Sequence, residues 1–505
     1  MCYISLAIPV GPWIEPTMVL VTIALYRLFK GFVSSGPSKI AITVVGSSVG
    51  GIVATGLGFS FPALFFLDPE LFNQLMKDPF YFIFSLALFT FAAGLFGFAI
   101  ADYLEEKFIE KERLPFPVGQ LVYKMIAAQN HVKKAAELAL GFITTMSFCL
   151  AQEGLGLPKE VKIVGSSTFG GLKIPMLSFN IFPVLWAIGF VTGHVIAVPL
   201  FVGALAQLIF GHMMSGYFFP NLLIEDFVLA FGSGMVLASA VYGITETPKF
   251  LWNGFLKLSS QSHRSALWQK INHYECIVVL SVVFGTLTFF GFSPLSQIYL
   301  VIFTFICTYA ITKIAGRIGI AHLGRFATFV MVPGMFIFNW SFLEITLTSC
   351  FVEVAGGVAT DILFGRKMAS LAGIPNQYVK KYQLFGLVVS CLTVGLIFWL
   401  LINHFELGSA DLFAQKAKAR ALLVFAPRFN NYLLAAGCLF TYVLKLMKIN
   451  RSLVLGGLLM PINVSFGLIF GALIAHFTKS REEWFPFWSG VFASHSIWML
   501  LKTLF

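Results

Sequence analysis

Apolar runs long enough to cross a lipid bilayer recur along the whole chain, and they limit its fold more than any other feature. A spanning α-helix needs about 20 apolar residues, because the hydrocarbon core of a bilayer is about 30 Å thick. Because backbone polar groups must be satisfied inside each span, the runs predict an all-α polytopic transmembrane bundle of about 14–16 spans. The runs lie near residues 14–32, 40–67, 80–103, 135–151, 179–199, 200–220, 227–244, 274–292, 298–314, 326–354, 384–402, 432–446, 453–476 and 485–500.

The composition agrees with a membrane environment and excludes two other classes of protein. Only 11% of the residues are charged and 58% are hydrophobic, whereas soluble domains carry about 25% charged residues. The net charge of +11 is spread over short loops rather than gathered into a stripe, so a nucleic-acid partner is not expected. No linker divides the chain, and residues 1–505 are therefore predicted to form a single integral membrane transporter domain.

A polar segment near the middle of the chain predicts an internal division of that domain. Residues 247–273 contain Lys249, Lys257, Arg264 and Lys270, and their density of charge is typical of an extramembrane connection. The expectation is a first helical bundle over residues 1–246 and a second over residues 274–505.

Basic loops give an orientation for the first half. Since Lys and Arg are enriched in cytoplasmic loops, a cytoplasmic side for Arg27, Lys30 and Lys39 also places loops 104–134 and 247–273 there. The default location for such a helical carrier is the plasma or inner membrane.

The run from Phe326 to Thr360 breaks this orientation, because basic residues both precede and follow it. One span cannot place both groups on the same side of the membrane. Pro333-Gly334 and Gly356-Gly357 interrupt the run, which predicts two short elements or a re-entrant pair. Broken helices at membrane depth often line a substrate site.

Motifs for enzymatic catalysis are scarce. The chain has no HExxH, phosphate-loop or dinucleotide-binding motif, and its seven cysteines show no CxxC spacing, so no cofactor, metal site or enzyme activity is expected. Residues 46–50 do match GxSxG, which holds a nucleophilic serine in hydrolases. An intramembrane serine hydrolase using Ser48 and His194 therefore stays open as an alternative, as does a channel or flippase for another solute.

Ionisable residues inside apolar runs are the best candidates for function, because each is costly in hydrocarbon unless it faces a partner or a water-filled path. An imidazole can also change charge near physiological pH and carry a coupling proton. The candidates for substrate binding or proton coupling are His194, His212, Glu344, Glu353, Asp361, Arg366 and Lys367.

Spacing relates four of these candidates on one helix. Glu353 and Asp361 are eight residues apart and would lie about 80° from each other, so they can face one cavity, with Arg366 and Lys367 near enough to bind a carboxylate. Glu344 falls on the opposite face from Glu353 in a continuous helix. The alternative is that Asp361, Arg366 and Lys367 only mark a helix end at the membrane interface.

Several short segments, taken in order, resemble motifs of the oligopeptide transporter superfamily, which includes peptide carriers and yellow-stripe carriers of metal chelates. The stretch from Ser47 to Leu64 is similar to a small-residue run ending in Leu-Pro-Ala-Leu. Residues 114–119 are similar to Leu-x-Phe-Pro-x-Gly and contain the motif positions Pro115, Phe116, Pro117 and Gly119.

Segments after residue 187 carry the rest of the resemblance. Residues 188–193, with Gly189 and Gly193, are similar to the segment Gly-Tyr-x-x-Gly, although Phe190 replaces the tyrosine. Residues 356–365 resemble Gly-Asp-x-x-x-Asp-x-x-x-Gly, in which Gly357 replaces the first acid while Asp361 and Gly365 match. Residues 455–461, ending at Pro461, and residues 470–474 resemble Gly-x-Tyr-x-Pro and Gly-Gly-Leu-Ile.

The resemblance implies a proton-coupled symporter of small oligopeptides or peptide-like metal chelates. Its partners would be that substrate, protons and membrane lipids. A zwitterionic substrate needs a cation for its carboxylate and an anion for its amine, which broken elements over residues 340–367 can supply. The mechanistic hypothesis is that protonation of Glu344, Glu353, Asp361 or His194 neutralises a buried charge and biases the bundle between inward-open and outward-open states.

Overall fold

The described part of the chain is almost entirely α-helical, which confirms the predicted all-α class. In chain order the helices are α1 (Cys2–Ala7), α2 (Pro37–Ser60), α3 (Ala63–Leu67), α4 (Pro69–Lys77), α5 (Pro79–Glu105), α6 (Pro117–Ala127), α7 (Val132–Gly154), α8 (Pro183–Thr192), α9 (His194–Ala206), α10 (Phe227–Ser239), α11 (His273–Phe289), α12 (Pro294–Ile318), α13 (Leu323–Phe338), α14 (Phe342–Leu371), α15 (Asn376–His404), α16 (Gln415–Phe425), α17 (Asn431–Leu446), α18 (Arg451–Leu459), α19 (Ile462–Phe477) and α20 (Phe485–Leu501).

The computed structural model describes most of the sequence. The described residues are 1–7, 18–19, 21–23, 25–26, 37–127, 132–156, 158, 160–164, 167–169, 172–174, 177–209, 227–239, 241–242, 273–318, 321, 323–409, 412–426, 430–459, 462–478 and 481–501.

Five of the described helices are long and apolar enough to cross a membrane by length and composition. They are Ser38–Leu67, Pro79–Lys111, Pro294–Arg317, Phe342–Leu371 and Asn376–His404. Six shorter apolar helices, of 10–17 residues, accompany them in the described residues. The chain is therefore an integral membrane protein.

The chain divides into two compact units that interleave along the sequence. The first comprises Met1–Ser5, Trp13–Asn130 and Ala240–Leu400, and the second comprises Leu6–Pro12, His131–Ser239 and Leu401–Phe505. The predicted bundles over residues 1–246 and 274–505 remain predictions. Helices pack by complementary faces rather than by chain order, and α14 is covered by the early helices α2 and α5 as well as by the later α12 and α13. The predicted connection over residues 247–273 lies outside the described residues except for His273.

In the first unit, α14 is the innermost span. In the most apolar 18-residue stretch of α14, 83% is buried inside the protein, whereas only 33% is buried in the corresponding stretch of α15, the next helix along the chain. Close crossings make this possible. A Cβ atom at Gly97 of α5 would collide with the carbonyl of Ala355, and one at Gly56 of α2 would lie 3.0 Å from the backbone nitrogen of Val354. Small residues thus bring backbones together as expected for helices in lipid.

The run from Phe326 to Thr360 is divided, but into the short helix α13 and the 30-residue span α14 rather than the predicted two short elements or re-entrant pair. The predicted broken elements over residues 340–367 are therefore wrong from Phe342 onward, and the break falls elsewhere than predicted. Helix α13 ends at Phe338, and Asn339 follows it with φ +50°, a left-handed conformation that asparagine tolerates. Pro333 lies inside α13, and the Gly356-Gly357 pair lies inside the continuous α14. The glycines are needed for packing rather than for a break, since a Cβ at Gly356 would lie 2.7 Å from the side chain of Ile311.

In the second unit, helices α8, α19 and α20 pack together, and α20 also packs against α7. Two nested antiparallel hairpins precede α8. Strand β1 (Glu160–Val164) pairs with β4 (Leu177–Asn180), and β2 (Ser167–Phe169) pairs with β3 (Leu172–Ile174).

Candidate functional site

The ionisable residues of α14 are spread over its length. The helix has 30 residues and so spans about 45 Å, which is more than the roughly 30 Å of hydrocarbon in a bilayer. Glu353 and Asp361 fall on either side of the helix centre, at membrane depth. Glu344 lies in the first turn and Arg366 lies five residues before the last residue, Leu371. A site at membrane depth can therefore use Glu353 and Asp361.

Glu353 is fully buried, with 0% of its surface exposed. The hydroxyl of Ser60, the last residue of α2, donates a hydrogen bond of 2.6 Å to its Oε2 atom. A carboxyl group at this depth is costly in its ionised form unless polar groups surround it. The fold therefore provides this buried carboxyl group with a polar partner at membrane depth.

Asp361 lies two turns after Glu353 on α14 and is also buried against α2. The hydroxyl of Ser48 donates a hydrogen bond of 2.8 Å to its Oδ2 atom, and the same hydroxyl oxygen lies 3.3 Å from the carbonyl oxygen of Val45. This arrangement suits both protonation states of the acid. An ionised Asp361 accepts a hydrogen bond from the Ser48 hydroxyl, whereas a protonated Asp361 can donate one to the Ser48 oxygen, and Ser48 then donates to the carbonyl of Val45.

A small, mostly apolar cavity adjoins this pair between α2, α6 and α14. Glycines keep these helices close, because a Cβ at Gly365 of α14 would lie 3.1 Å from Cγ1 of Val45 in α2, and one at Gly119 of α6 would collide with the carbonyl of Phe364 in α14. The cavity is lined by Val44, Val45, Ser48, Gly119, Val122, Phe364, Gly365 and Met368.

Arg366 belongs to a separate cluster of charges where α5 and α14 end. Its Nη1 atom lies 2.5 Å from Oδ1 of Asp102 and 2.9 Å from Oε2 of Glu105, and its Nε donates to Oε1 of Gln383 over 3.2 Å. The ammonium of Lys380 lies 3.0 Å from Asp102 and 3.4 Å from Glu105. We call these five residues the ion-pair cluster.

The ion-pair cluster changes the predicted role of Arg366. Its two acids and two bases balance in charge, and the guanidinium also lies 5.3 Å from the ring centre of Phe98. Arg366 is five residues from Asp361 and so projects about 140° away from it around the helix. The structure therefore places Glu353 and Asp361 toward α2 and Arg366 toward α5 and α15. Lys367 is half-buried beside Gly119.

Glu344 has a local partner at the start of α14. It forms a capping box with Ser341: the Ser341 backbone N–H donates to Glu344 Oε2 over 2.8 Å, and the Glu344 N–H donates to the Ser341 hydroxyl over 3.3 Å. Nine residues separate it from Glu353, which is about 13 Å along the axis. The structure does not bring these two acids together.

Three residues that the sequence singles out, His194, His212 and Pro461, lie partly or wholly outside the part of the chain that the structure describes. His194 begins α9 after Gly193, whose φ of +64° ends α8, but the placement of the imidazole lies outside the described side chains. His212 and Pro461 lie outside the described residues. Their predicted roles remain predictions.

The remaining motif positions act in packing. Phe116 has φ +44°, and its N–H donates to the carbonyl of Gly316 over 2.8 Å while its ring packs 5.8 Å from that of Phe364. Pro115 precedes this turn, and Pro117 begins α6. A Cβ at Gly189 would collide with the carbonyl of Leu468 in α19.

Sequence reasoning missed the partners of the acids. The GxSxG match lies inside the continuous helix α2 rather than on the strand-to-helix turn of a hydrolase, and Ser48 is a carboxyl partner there. The sequence could have predicted that Asp102 and Glu105 form one acidic cluster, since acids three residues apart at the end of an apolar run lie on one side of a helix.

Comparison with known proteins identifies the family. A family model described as OPT oligopeptide transporter protein matches residues 227–494, which is more than half of the 505 residues and includes all of α14. No curated protein matches the chain.

Proposed function

The chain belongs to the oligopeptide transporter family, and from that premise we propose that it is a proton-coupled secondary carrier of small oligopeptides or peptide-like metal chelates. Family membership makes it a transporter of peptides or related compounds rather than an enzyme. Proton coupling, the choice of substrate and a plasma or inner membrane location are the parts that we propose.

The observation that carries the proposal is the pair of buried carboxyl groups on α14. Glu353 and Asp361 are 0% and 4% exposed, and each is held by a serine hydroxyl of α2. Buried ionisable groups at membrane depth are typical of proton relays in pumps and transporters. A serine partner can accept or donate a hydrogen bond, so it supports a carboxyl group in both protonation states.

Coupling follows if the two protonation states favour different conformations. A protonated pair is neutral and can remain between α2 and α14 at low cost, whereas an ionised pair favours a conformation in which water or the substrate amine reaches it. Proton and substrate must each bind the two conformations with different affinity, since otherwise no coupling arises.

The substrate carboxylate needs a cation other than Arg366 in the conformation described, because the acids of the ion-pair cluster already neutralise that guanidinium. Lys367, which is half-buried beside the cavity residue Gly119, is the proposed cation within α14. His194 and His212 remain proposed contributors to coupling.

Uptake into proteoliposomes tests the proposal. The purified chain would be given labelled di- to hexapeptides under an imposed acid-outside gradient, with an iron chelate as competitor. Saturable uptake that collapses when a protonophore removes the gradient is expected, and the competitor shows which substrate class is preferred. Uptake that does not saturate would instead indicate a channel, and saturable uptake unaffected by the protonophore would overturn proton coupling.

A further inference from the structure

Four buried threonine hydroxyls lie on α12 and α14 without hydrogen-bond partners among the described residues. They belong to Thr304, Thr308, Thr346 and Thr348, and each side chain is at most 1% exposed. Threonine in a helix usually satisfies its hydroxyl on a carbonyl of the preceding turn, as Thr312 does with the carbonyls of Thr308 and Tyr309. The four hydroxyls therefore need another partner.

Helices α12 and α14 run parallel with a fixed register. A Cβ at Gly356 would lie 2.7 Å from Cδ1 of Ile311. Further along, Gly316 accepts a hydrogen bond from Phe116, whose ring contacts Phe364. Ile311 is thus level with Gly356, and Gly316 lies near the level of Phe364.

This register places two of the hydroxyls beside Glu353. Residues three and seven positions apart share a helix face. Thr308 is three residues before Ile311, and Glu353 is three residues before Gly356, so they lie at one level on the facing sides. By the same count, Thr304 is seven residues before Ile311, one turn above Thr308.

A third hydroxyl extends the row along α14. Thr346 is seven residues before Glu353 and so lies on the same side of α14, about 10 Å nearer its first residue. Thr304 and Thr308, near the middle of α12, and Thr346, near the start of α14, therefore form a polar row that leads to Glu353. We call these three residues the hydroxyl row.

Buried polar atoms without protein partners usually bind internal water, and such waters make two to four hydrogen bonds each. We propose that the hydroxyl row holds a chain of water molecules that connects Glu353 with the end of the bundle at which α14 begins, and that Glu353 exchanges its proton along this chain. The role in proton exchange rests on the proposed function above, whereas the presence of water does not.

Aromatic rings close the far end of this row in the conformation described. The ring of Trp340 lies 5.5 Å from that of Phe338, 5.9 Å from that of Tyr299 and 6.0 Å from that of Phe292. Movement of this cluster would open the water chain to that side of the membrane.

Three other titratable groups of α12 and α14 lie near the level of Glu353. Cys350 lies one turn before it on α14, and Cys307 and Tyr309 flank Thr308 on α12. Arg325 lies on the exposed side of α13. On α12, Lys313 and Arg317 follow toward the opposite end, and on α5 Asp102 and Glu105 lie in the ion-pair cluster. On the described face toward α2, Glu353 meets the hydroxyl of Ser60.

The double variant Thr304→Val/Thr308→Val tests the proton route in the full chain. Valine has nearly the shape of threonine, so the two substitutions remove the hydroxyls that bind the water chain with little change in packing. The proposal expects at least a tenfold slower gradient-driven proton influx, measured with a pH-sensitive dye in proteoliposomes, with peptide binding retained. Thr312→Val, which removes a bonded hydroxyl from the same helix, is the control and should leave influx unchanged. An unchanged influx in the double variant would overturn the route.

Radiolytic hydroxyl labelling tests the water itself and needs no transport. Bound water turns nearby buried side chains reactive, so Cys307 beside Thr308 should be oxidised in the wild type and protected in the double variant. Cys391 of α15, also buried at 1% exposure, should be protected in both. Equal protection of Cys307 and Cys391 in the wild type would contradict the water chain. If Cys307 is oxidised but no proton-driven uptake is measured, the water chain is supported and the proposed function is overturned.

Discussion

The two halves of α14 carry polar groups of opposite kinds. In the half after Asp361, the buried charge is already paired, since Arg366 meets Asp102, Glu105 and Gln383 directly. In the half before Gly356, the buried polar groups are hydroxyls and one carboxyl, and the hydroxyls of Thr346 and Thr348 have no partner among the described residues. One end of the helix is therefore fixed by ion pairs, whereas the other has polar groups that can change partners.

This difference assigns different tasks to the two halves. A paired cluster at the membrane edge anchors α5, α14 and α15 to each other, and breaking it is costly because charges are left buried. Uncharged hydroxyls around a carboxyl can exchange partners at low cost, which is what a proton site needs. In the proposed function, the fixed half holds the bundle while Glu353 in the other half binds and releases the coupling proton.

The largest expected effect is loss of the anchor. Arg366→Ala leaves Asp102 and Glu105 without their buried partner and should lower the free energy of unfolding by about 3–5 kcal/mol. Lys380→Ala is the matched control, because the side chain of Lys380 is 38% exposed and such a pair contributes no more than about 1 kcal/mol. Unfolding of the purified chain in a denaturing detergent series measures both. Equal losses would show that the cluster is not an anchor centred on Arg366.

A smaller effect is expected where the two halves of α14 meet, at Ala355. Gly97→Leu places a side chain against the backbone of Ala355 and should cost about 1–3 kcal/mol through overpacking. Gly285→Leu on α11 is the control, since a Cβ there meets no atom within 4 Å. The same unfolding series compares them, and no difference between the two variants would contradict the close crossing of α5 and α14.

The smallest effect concerns the first turn of α14. Ser341→Ala removes one half of the capping box and should cost about 1 kcal/mol. Glu344→Gln keeps a side chain that can complete the box, so both stability and gradient-driven uptake should match the wild type. If uptake by Glu344→Gln no longer depends on the proton gradient, Glu344 takes part in proton coupling rather than only in capping α14.

Much of this comparison could be predicted from local sequence. Hydropathy indicated a span that includes the first half of α14. The spacing of eight residues predicts that Glu353 and Asp361 can face one cavity, and in the structure both accept hydrogen bonds from serines of α2, because helical periodicity is a local property. The breaks predicted at Pro333-Gly334 and Gly356-Gly357 are wrong, because both pairs lie inside continuous helices. Asn339 and the capping box at Ser341 decide the boundary instead.

The pairings themselves were not predictable, because they join distant parts of the chain. Ser48 is 313 residues from Asp361, Ser60 is 293 residues from Glu353, and Arg366 is 261 residues from Glu105. Spacing on one helix cannot show which neighbour covers a face. The sequence therefore placed Arg366 with Asp361, whereas packing places it with α5.

Transport by Glu353→Gln and Asp361→Asn tests the central claim most directly. Each variant keeps the shape of the side chain and a hydrogen-bonding partner for Ser60 or Ser48, but neither can release a proton. Uphill uptake driven by an acid-outside gradient should be lost in both, while exchange of labelled for unlabelled substrate at equal pH, which needs no net proton movement, should persist. Wild-type uphill uptake in both variants would contradict coupling through the two carboxyls of α14.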